Sequence, residues 1–194
     1  MEIKHAEFLT SVASADKIIL SDVPEIAIAG KSNVGKSSFV NFIANNGKLA
    51  KTSKEPGRTR LLNYFSFNKG QFYFVDLPGY GFARVSDSEK LKWGGLIEGY
   101  LLNSPMLKNF FLLVDIRHEP SVNDVDMIAF LSHYNIQFTV IATKADKLSR
   151  AQQAIARQRI ANALRIGKDN VYVVSSYAKT GREDILDRIE SILF

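Results

Sequence analysis

The residues best suited to chemistry lie in four short segments, at positions 30–37, 76–79, 143–146 and 175–177. The first has the pattern glycine, four residues, glycine, lysine and serine, and it lies between an apolar run and a helical pattern, as a phosphate-binding loop does. Its members are Gly30, Lys31, Ser32, Asn33, Val34, Gly35, Lys36 and Ser37. Backbone amides would wrap the phosphates of a nucleotide, the Lys36 ammonium would neutralise them, and the Ser37 hydroxyl would bind magnesium.

The second segment, Asp76-Leu77-Pro78-Gly79, follows a predicted strand. It therefore places a carboxylate at the carboxyl end of the sheet, where ligands of open α/β sheets bind. We expect Asp76 to hold magnesium through water and the Gly79 amide to approach the terminal phosphate. Loss of that phosphate would release the following residues as a switch.

The third segment, Thr143-Lys144-Ala145-Asp146, is suited to reading a base. A carboxylate at Asp146 can accept hydrogen bonds from the ring N–H and the exocyclic amine of guanine, whereas adenine has no matching pair of donors. The stem of Lys144 can lie against the purine face. Many related enzymes have asparagine in place of Thr143, and a hydroxyl makes fewer contacts, so we expect looser nucleotide binding.

The fourth segment, Ser175-Ser176-Tyr177, follows the last predicted strand and is the weakest of the set. It would support the base through backbone amides, mainly that of Ser176. Taken in this order, the four segments predict a site for GTP with magnesium.

A polar loop at residues 51–60 holds further candidate ligands. We choose Thr59 for magnesium, because it precedes the second predicted strand, where the first switch loop of such proteins reaches the metal; Thr52 and Ser53 compete with it. Arginines here invite comparison with an arginine finger, but an exposed basic loop more often contacts a phosphate-bearing partner. The nucleotide contacts expected from this region are Gly57, Arg58, Thr59, Arg60 and Leu61.

These segments require an α/β fold with a mostly parallel sheet, because short apolar runs alternate with helical patterns. We expect six strands, near residues 26–29, 62–67, 72–76, 110–116, 138–142 and 171–175. Helices are expected near residues 36–45, 88–102, 122–133, 150–164 and 183–193. Residues 68–71 are a hairpin-type connection, so one edge strand should be antiparallel. A capping box of Ser149 and Gln152 would begin the fourth helix.

Length and composition favour one domain of 194 residues, with residues 1–24 packed on it as a short extension. Apolar runs are too short to cross a membrane, and the amino terminus lacks the pattern of a secretory signal, so we expect the chain to stay in the cytoplasm. The chain has no cysteine, which excludes disulfides and thiolate metal sites.

The formal net charge of +5 is concentrated in two groups. The first is Lys31, Lys36, Lys48, Lys51, Lys54, Arg58, Arg60 and Lys69, with Glu55 as its one acid. The second is Lys144, Lys147, Arg150, Arg157, Arg159, Arg165 and Lys168. Both suit a phosphate-rich partner such as RNA, although the second could equally be a solvated helix face.

With these residues in place, the chain resembles the bacterial EngB (YsxC, YihA) family of ribosome-assembly GTPases. The resemblance rests on residues 30–38, on Pro56-Gly-Arg-Thr-Arg at 56–60, on Asp-Leu-Pro-Gly-Tyr-Gly at 76–81 and on residues 143–146. It covers essentially the whole chain. It implies a three-layer P-loop GTPase fold and a monomeric molecular switch that acts with ribosomal RNA on the precursor of the large ribosomal subunit. A need for the protein in cell division and septation is also implied.

Two residues suggest how hydrolysis would differ from that of small signalling GTPases. Those enzymes orient water with a glutamine directly after the glycine of Asp-x-x-Gly, and here Tyr80 stands in that place, which predicts slow unaided turnover. Asn33 matches an asparagine that helps to hold potassium in similar cation-activated GTPases.

We interpret Asp115, Arg117 and His118, which follow the fourth predicted strand, as structural.

Two other functions remain open at this point. A phosphate-loop kinase is disfavoured because Asp146 reads guanine and such kinases lack that element. An RNA-binding scaffold with a purely structural nucleotide is disfavoured by the intact Ser37, Thr59 and Asp76, although Tyr80 keeps it open.

Overall fold

Seven strands form one sheet within residues 1–50, 61–79 and 87–194, the part of the chain that a computed structural model describes. The strands are β1 Ala6–Val12, β2 Glu25–Gly30, β3 Leu62–Phe67, β4 Phe72–Asp76, β5 Leu107–Asp115, β6 Phe138–Thr143 and β7 Val171–Val173. Their order across the sheet is β1-β3-β4-β2-β5-β6-β7. Strands β4, β2, β5, β6 and β7 are parallel, and β3 is antiparallel to both of its neighbours.

Helices cover both faces of this sheet, which gives the predicted three layers. They are α1 Lys36–Ala44, α2 Asp87–Asn103, α3 Val122–His133, α4 Arg150–Leu164 and α5 Arg182–Leu193. Buried side chains of α1 and α5 share one core with the sheet, and those of α2, α3 and α4 share the core on the other face. No helix in the described ranges combines the length and apolar character needed to cross a membrane.

Strand β2 lies at the centre of the sheet and leads into the phosphate loop. Each of its six residues is buried, which explains why it reads as a continuous apolar run with little alternation. In the register of the neighbouring strands, Ile28 is opposite Asp76 and Gly30 is opposite Leu113. Farther along, Asp115 is opposite Thr143. The carboxyl ends of β2, β4, β5 and β6 therefore bring the predicted segments to one edge of the sheet.

The sheet has one strand more than the sequence predicted. Strand β1 comes from the residues expected to form a short extension, and it occupies the edge expected for β3, which lies one strand farther in. Most of β1 is exposed, and a bulge interrupts its pairing with β3 between Phe8 and Thr10. An exposed and irregular edge strand lacks a clean alternation of apolar and polar residues, which is why its pattern was not recognised.

Two helices begin with side-chain caps. In α4, Ser149 accepts a hydrogen bond from the Gln152 amide at 3.3 Å, and the Gln152 side chain accepts one from the Ser149 amide at 2.9 Å, which confirms the predicted capping box. In α3, Ser121 and Asp124 form a second capping box. These caps satisfy helix amides that would otherwise lack a partner.

A buried carboxyl group at the start of β2 ties this strand to the end of α2. Oε2 of Glu25 accepts hydrogen bonds from the Tyr100 hydroxyl at 2.8 Å and the Ser104 hydroxyl at 2.7 Å. Burial raises the pKa of Glu25 above its ordinary value of 4.5, although both hydrogen bonds oppose the rise. The folded state therefore favours the neutral acid. This contribution to stability is complete below pH 4.5 and is lost as the pH rises through the raised pKa.

We expect Glu25→Gln, which cannot ionise, to remove this pH dependence. The free energy of unfolding of the wild-type protein should fall relative to that of the variant as the pH rises above 4.5. Chemical denaturation across that range measures the difference. Glu7→Gln, at an exposed position of β1, controls for the loss of one charge. Parallel stability profiles for wild type and Glu25→Gln would show that the buried carboxyl group does not titrate in this way.

Candidate functional site

The phosphate loop connects β2 to α1 and is packed tightly at its first residue. A Cβ atom added to Gly30 would lie 2.5 Å from the Leu113 carbonyl oxygen and 2.9 Å from Cγ1 of Val34. Both distances are shorter than van der Waals contact, so only glycine fits where β2 passes β5. Asn33, farther along the loop, has a φ of 63°, a conformation that asparagine tolerates better than most residues.

The first turn of α1 is electrostatically suited to an anion. Unlike α4, α1 has no side-chain hydrogen bond at its N-cap, and its first turn contains no acidic residue. At the other end, the Arg182 guanidinium donates to the carbonyl oxygens of Phe42 at 3.1 Å and Ile43 at 2.7 Å. A cation at the carboxyl end complements the helix dipole, while the partial positive charge at the amino end remains available to a ligand.

Lys36, Asp76 and Gly79 meet beside this first turn. Nζ of Lys36 lies 3.9 Å from Oδ1 of Asp76, and both side chains are largely buried. A Cβ atom on Gly79 would lie 3.3 Å from Nζ of Lys36 and 3.3 Å from the Gly30 carbonyl oxygen. The structure thus brings the first two predicted segments into contact.

Two buried oxygen atoms of this cluster have no hydrogen-bond partner within the described residues: Oδ1 of Asp76 and Oγ of Ser32. Burial raises the pKa of Asp76, although the Lys36 ammonium and a hydrogen bond with Asn63 oppose the rise. Buried polar groups are normally paired, so these atoms have the character of ligand-facing groups. A divalent cation near Asp76 would fit this carboxylate oxygen, which accepts no hydrogen bond from the described residues.

Thr143 joins the base-reading segment to the phosphate loop. Its hydroxyl is buried and lies 2.8 Å from the Val34 carbonyl oxygen and 3.1 Å from that of Val114, to either of which it can donate. Donation to Val34, the shorter of the two contacts, joins the base-reading segment to the phosphate loop. Looser nucleotide binding than with asparagine stays a prediction.

Lys144 makes a second connection between the same two loops. It has a φ of 63°, and its ammonium donates to the Asn33 carbonyl oxygen at 2.8 Å and to Oδ2 of Asp115 at 2.8 Å. Arg117 also donates to Asp115, at 2.9 and 2.7 Å. Burial alone would raise the pKa of Asp115, but the hydrogen bonds from Arg117 and Lys144 outweigh it and hold the pKa well below its usual value.

Asp115 is thus a positioning residue for Lys144, a role that the sequence did not reveal. The structural interpretation of the charged cluster agrees with these contacts but missed this connection. The signal lay in the pairing of adjacent strands, because Asp115 is opposite Thr143 and so reaches the residue after it. That register cannot be read from either strand alone.

Asp146 is held in place by the fourth segment. The Ser175 hydroxyl donates to Oδ1 of Asp146 at 2.6 Å and accepts a hydrogen bond from the Ala178 amide at 2.9 Å. Ser175 is fully buried, and its backbone pairs with Thr180 to close the turn. The hydrogen bond from Ser175 holds the pKa of Asp146 below its usual value. Asp146 is therefore kept as an ionised acceptor.

Comparison with known proteins shows the family. The model of a family described as 50S ribosome-binding GTPases matches residues 25–144. A probable GTP-binding protein EngB of Mycoplasma capricolum is 44% identical over 192 residues, 98% of this chain and 98% of that protein. The chain belongs to the EngB family of GTPases. An EngB protein of Clostridium perfringens is 46% identical over 188 residues, 96% of this chain and 95% of that protein.

Solved structures agree with the EngB fold. The crystal structure of a probable GTP-binding protein engB superposes with a TM-score of 0.71 at 22% identity, covering 87% of this chain and 98% of that chain. Era of Aquifex aeolicus, bound to GDP and aluminium fluoride, superposes with a TM-score of 0.70 at 21% identity, covering 90% of this chain and 58% of that chain. At these identities the likeness shows the P-loop GTPase fold alone.

Several predicted site residues of this EngB family member lie outside the described residues. They are Thr52, Ser53, Gly57, Arg58, Thr59, Arg60 and Tyr80. Leu61 is described, and it directly precedes β3. The magnesium role of Thr59 and the nucleotide contacts expected from the loop therefore stay predictions.

The structure divides the second basic group of this EngB family member. Several of its cations form internal contacts: Lys144 with Asp115, Lys147 with Asp146, Arg157 with Val171 and Asp169, and Arg159 with Ile116. The exposed members are Lys147, Arg150, Arg165 and Lys168. The group is thus partly structural, and its exposed members are the ones available to a polyanion.

Proposed function

We propose that this GTPase hydrolyses GTP to GDP and phosphate at the site described above and acts as a molecular switch in assembly of the large ribosomal subunit. One observation is the main support for the nucleotide site: segments far apart in sequence are joined by direct contacts. The contacts join Lys36 to Asp76, Val34 to Thr143, Asn33 to Lys144 and Asp146 to Ser175. The sheet brings these loops to one edge, and the contacts between them make one continuous surface on which a nucleotide would lie.

The phosphates would occupy the amino end of α1. There the loop amides and the helix dipole favour an anion, and Lys36 adds a full positive charge. Gly79 lies against Lys36 and Gly30, so its amide is close to the place where a terminal phosphate would lie. Binding of that phosphate would then be communicated to the residues after Gly79, which form the second switch in this proposal.

Magnesium would be held by Ser37, by Thr59 and, through water, by Asp76. The buried Oδ1 of Asp76, which has no hydrogen-bond partner among the described residues, supports this assignment, because a hydroxyl and a carboxylate are ligands that magnesium prefers. When bound, the metal would neutralise negative charge on the phosphates. The nearby Lys36 ammonium opposes the rise in the pKa of Asp76 that burial causes, and so favours the ionised form that a metal ligand requires.

The base would be read by Asp146 and covered by the stem of Lys144. Ser175 fixes one carboxylate oxygen, and Thr143 and Lys144 fix the loop against the phosphate loop. The base-reading element is therefore preorganised before the nucleotide binds, which lowers the entropy that binding must overcome. Ala145, within the same loop, is buried, and amides of residues 175–177 would complete the base contacts.

Ribosomal RNA of the large-subunit precursor is the partner that we propose. The description of the matching family as 50S ribosome-binding GTPases supports it, as do the exposed cations of both basic groups. As parts of the same proposal, the chain acts as a single-domain monomer in the cytoplasm, and normal cell division and septation depend on it.

Sedimentation with isolated large ribosomal subunits tests this function. We expect the chain to pellet with the subunits when a non-hydrolysable GTP analogue is present and to stay in the supernatant with GDP or without nucleotide. The difference should shrink as salt is raised, because phosphate contacts are screened. Lys36→Met, which should not respond to the analogue, is the control. The switch proposal fails if the three nucleotide states pellet alike.

A monovalent cation is the further ligand that we propose for hydrolysis. Tyr80 cannot orient water as a glutamine does, so unaided turnover should be slow, and potassium held by Asn33 could supply the missing positive charge. Release of phosphate should therefore be faster in potassium chloride than in sodium chloride at equal ionic strength. We expect Asn33→Gly to abolish the difference; glycine is chosen because alanine would be strained at the positive φ of this position. Equal rates for the wild-type protein in the two salts would exclude a potassium site.

A further inference from the structure

Both carboxylate oxygens of Asp146 already have protein partners. Oδ1 accepts the hydrogen bond of Ser175 at 2.6 Å, and Oδ2 lies 3.2 Å from Nζ of Lys147. The same ammonium lies 5.6 Å from the centre of the Tyr177 ring. The Asp146 side chain is 13% exposed and that of Lys147 is 55% exposed. Lys147 therefore lies at the solvent side of the carboxylate, between Asp146 and an aromatic ring.

We propose that Lys147 determines how strongly this site distinguishes guanine from purines that lack the 2-amino group. The inference rests on the proposed function, in which Asp146 accepts hydrogen bonds from the base. Lys147 acts through Asp146 and is a positioning residue, and Tyr177 in turn holds Lys147.

The chemical reason is the number of donors that a base offers. Guanine offers its ring N–H and its exocyclic amine, and together they can satisfy both carboxylate oxygens. Hypoxanthine, the base of inosine nucleotides, offers the ring N–H alone, so one oxygen would be shielded from water and lack a donor from the base. A site that depends wholly on the base for this hydrogen bond rejects such an analogue strongly. Lys147 supplies a donor of its own and lowers that penalty.

The charge of Lys147 acts in the same direction. An ammonium 3.2 Å from Oδ2 competes with the base for the lone pairs of that oxygen and partly neutralises the charge of the carboxylate. Guanine, which makes the larger number of hydrogen bonds to Asp146, loses more from this sharing than hypoxanthine does. Removal of the ammonium should therefore strengthen guanine binding and weaken hypoxanthine binding relative to it.

Tyr177 determines where the lysine rests. Tyr177 is 87% exposed, which is unusual for a large aromatic residue. Its ring faces the Lys147 ammonium at a distance at which cation–π attraction operates. Loss of the ring would allow the flexible lysine side chain to leave the carboxylate more often.

The test compares affinities for GDP and IDP, which avoid hydrolysis, by competition with a fluorescent guanine nucleotide. We expect Lys147→Met to raise the preference for GDP over IDP by about two- to fivefold, the size typical of an exposed ion pair. The increase should narrow at high salt, where the wild-type pair is screened. Lys179→Met, an exposed lysine in the neighbouring turn, is the matched control. Tyr177→Leu should raise the preference for GDP relative to Tyr177→Phe, which retains the ring.

The inference is overturned if Lys147→Met has the same preference for GDP over IDP as the wild-type protein. If the affinities for GDP and IDP also fall equally, the lysine contacts the nucleotide elsewhere. Asp146→Asn separates this failure from failure of the proposed function. An amide can donate to a carbonyl at position 2, so that variant should lose GDP and bind xanthosine diphosphate. If Asp146→Asn keeps its affinity for GDP, the base site itself is wrong; if it switches while Lys147→Met has no effect, the role of Lys147 alone is wrong.

Discussion

Replacement of Lys36 by methionine is expected to weaken GTP binding by about thirtyfold to several thousandfold, the range for losing one partner of a buried, hydrogen-bonded charge pair. Methionine retains the length and apolar character of the stem but removes the ammonium. Lys36 is the first residue of α1, and its mostly buried ammonium lies beside Gly79 and Asp76. Phosphates bound there would lose their nearest side-chain cation and would face the Asp76 carboxylate without compensation.

Competition with a fluorescent nucleotide measures this loss directly. Lys48→Met, at an exposed position beyond the end of α1, makes the same chemical change away from the loop. Denaturation of both variants without nucleotide shows whether the fold is retained, so that a loss of binding is not mistaken for unfolding. A change in affinity of less than about threefold, the effect of an exposed charge, would mean that Lys36 does not contact the phosphates.

The nucleotide segments could be predicted because their chemistry is local. The phosphate loop needs glycines, a lysine and a serine at fixed spacing between a strand and a helix, and the structure places residues 30–37 in that setting. The parallel strands were also readable, since burial on both faces gives runs such as Phe110 to Val114 with little alternation. Strands β3 and β4 and helices α3 and α4 have the predicted bounds.

The contacts that join the segments could not be predicted, because they depend on register across the sheet. Thr143 reaches Val34 across 109 positions of sequence, and Lys144 reaches Asn33 across 111. The sequence predicts base support from backbone amides of residues 175–177, mainly that of Ser176, but gives no sign that the Ser175 side chain holds Asp146. The sequence does not predict strand β1 for a different reason. Its position depends on backbone pairing with β3, and few of its own side chains are buried, so its sequence carries little apolar pattern.

Replacement of Gly181 by alanine is expected to reduce the free energy of unfolding by about 2–5 kcal/mol, the sum of a left-handed backbone and a steric overlap. Gly181 precedes α5 with a φ of 78°, and a Cβ atom there would lie 2.4 Å from the Val173 carbonyl oxygen. The overlap involves backbone of β7, which cannot move without disturbing β6. The turn at residues 175–180 lies between these two positions, so the base-supporting serines would be displaced as well.

Two further glycines separate the contributions to this effect. Gly70 has a φ of 86° with open space around it, so Gly70→Ala should show the backbone cost alone, about 1–2 kcal/mol. Gly167 has a φ of −65° and also has open space, so Gly167→Ala should be neutral or stabilising by up to about 1 kcal/mol. Chemical denaturation orders the three variants. If Gly181→Ala reduces the free energy of unfolding no more than Gly70→Ala does, the contact with Val173 must relax freely. The close packing of β7 against the start of α5 would then not be what fixes the turn at residues 175–180.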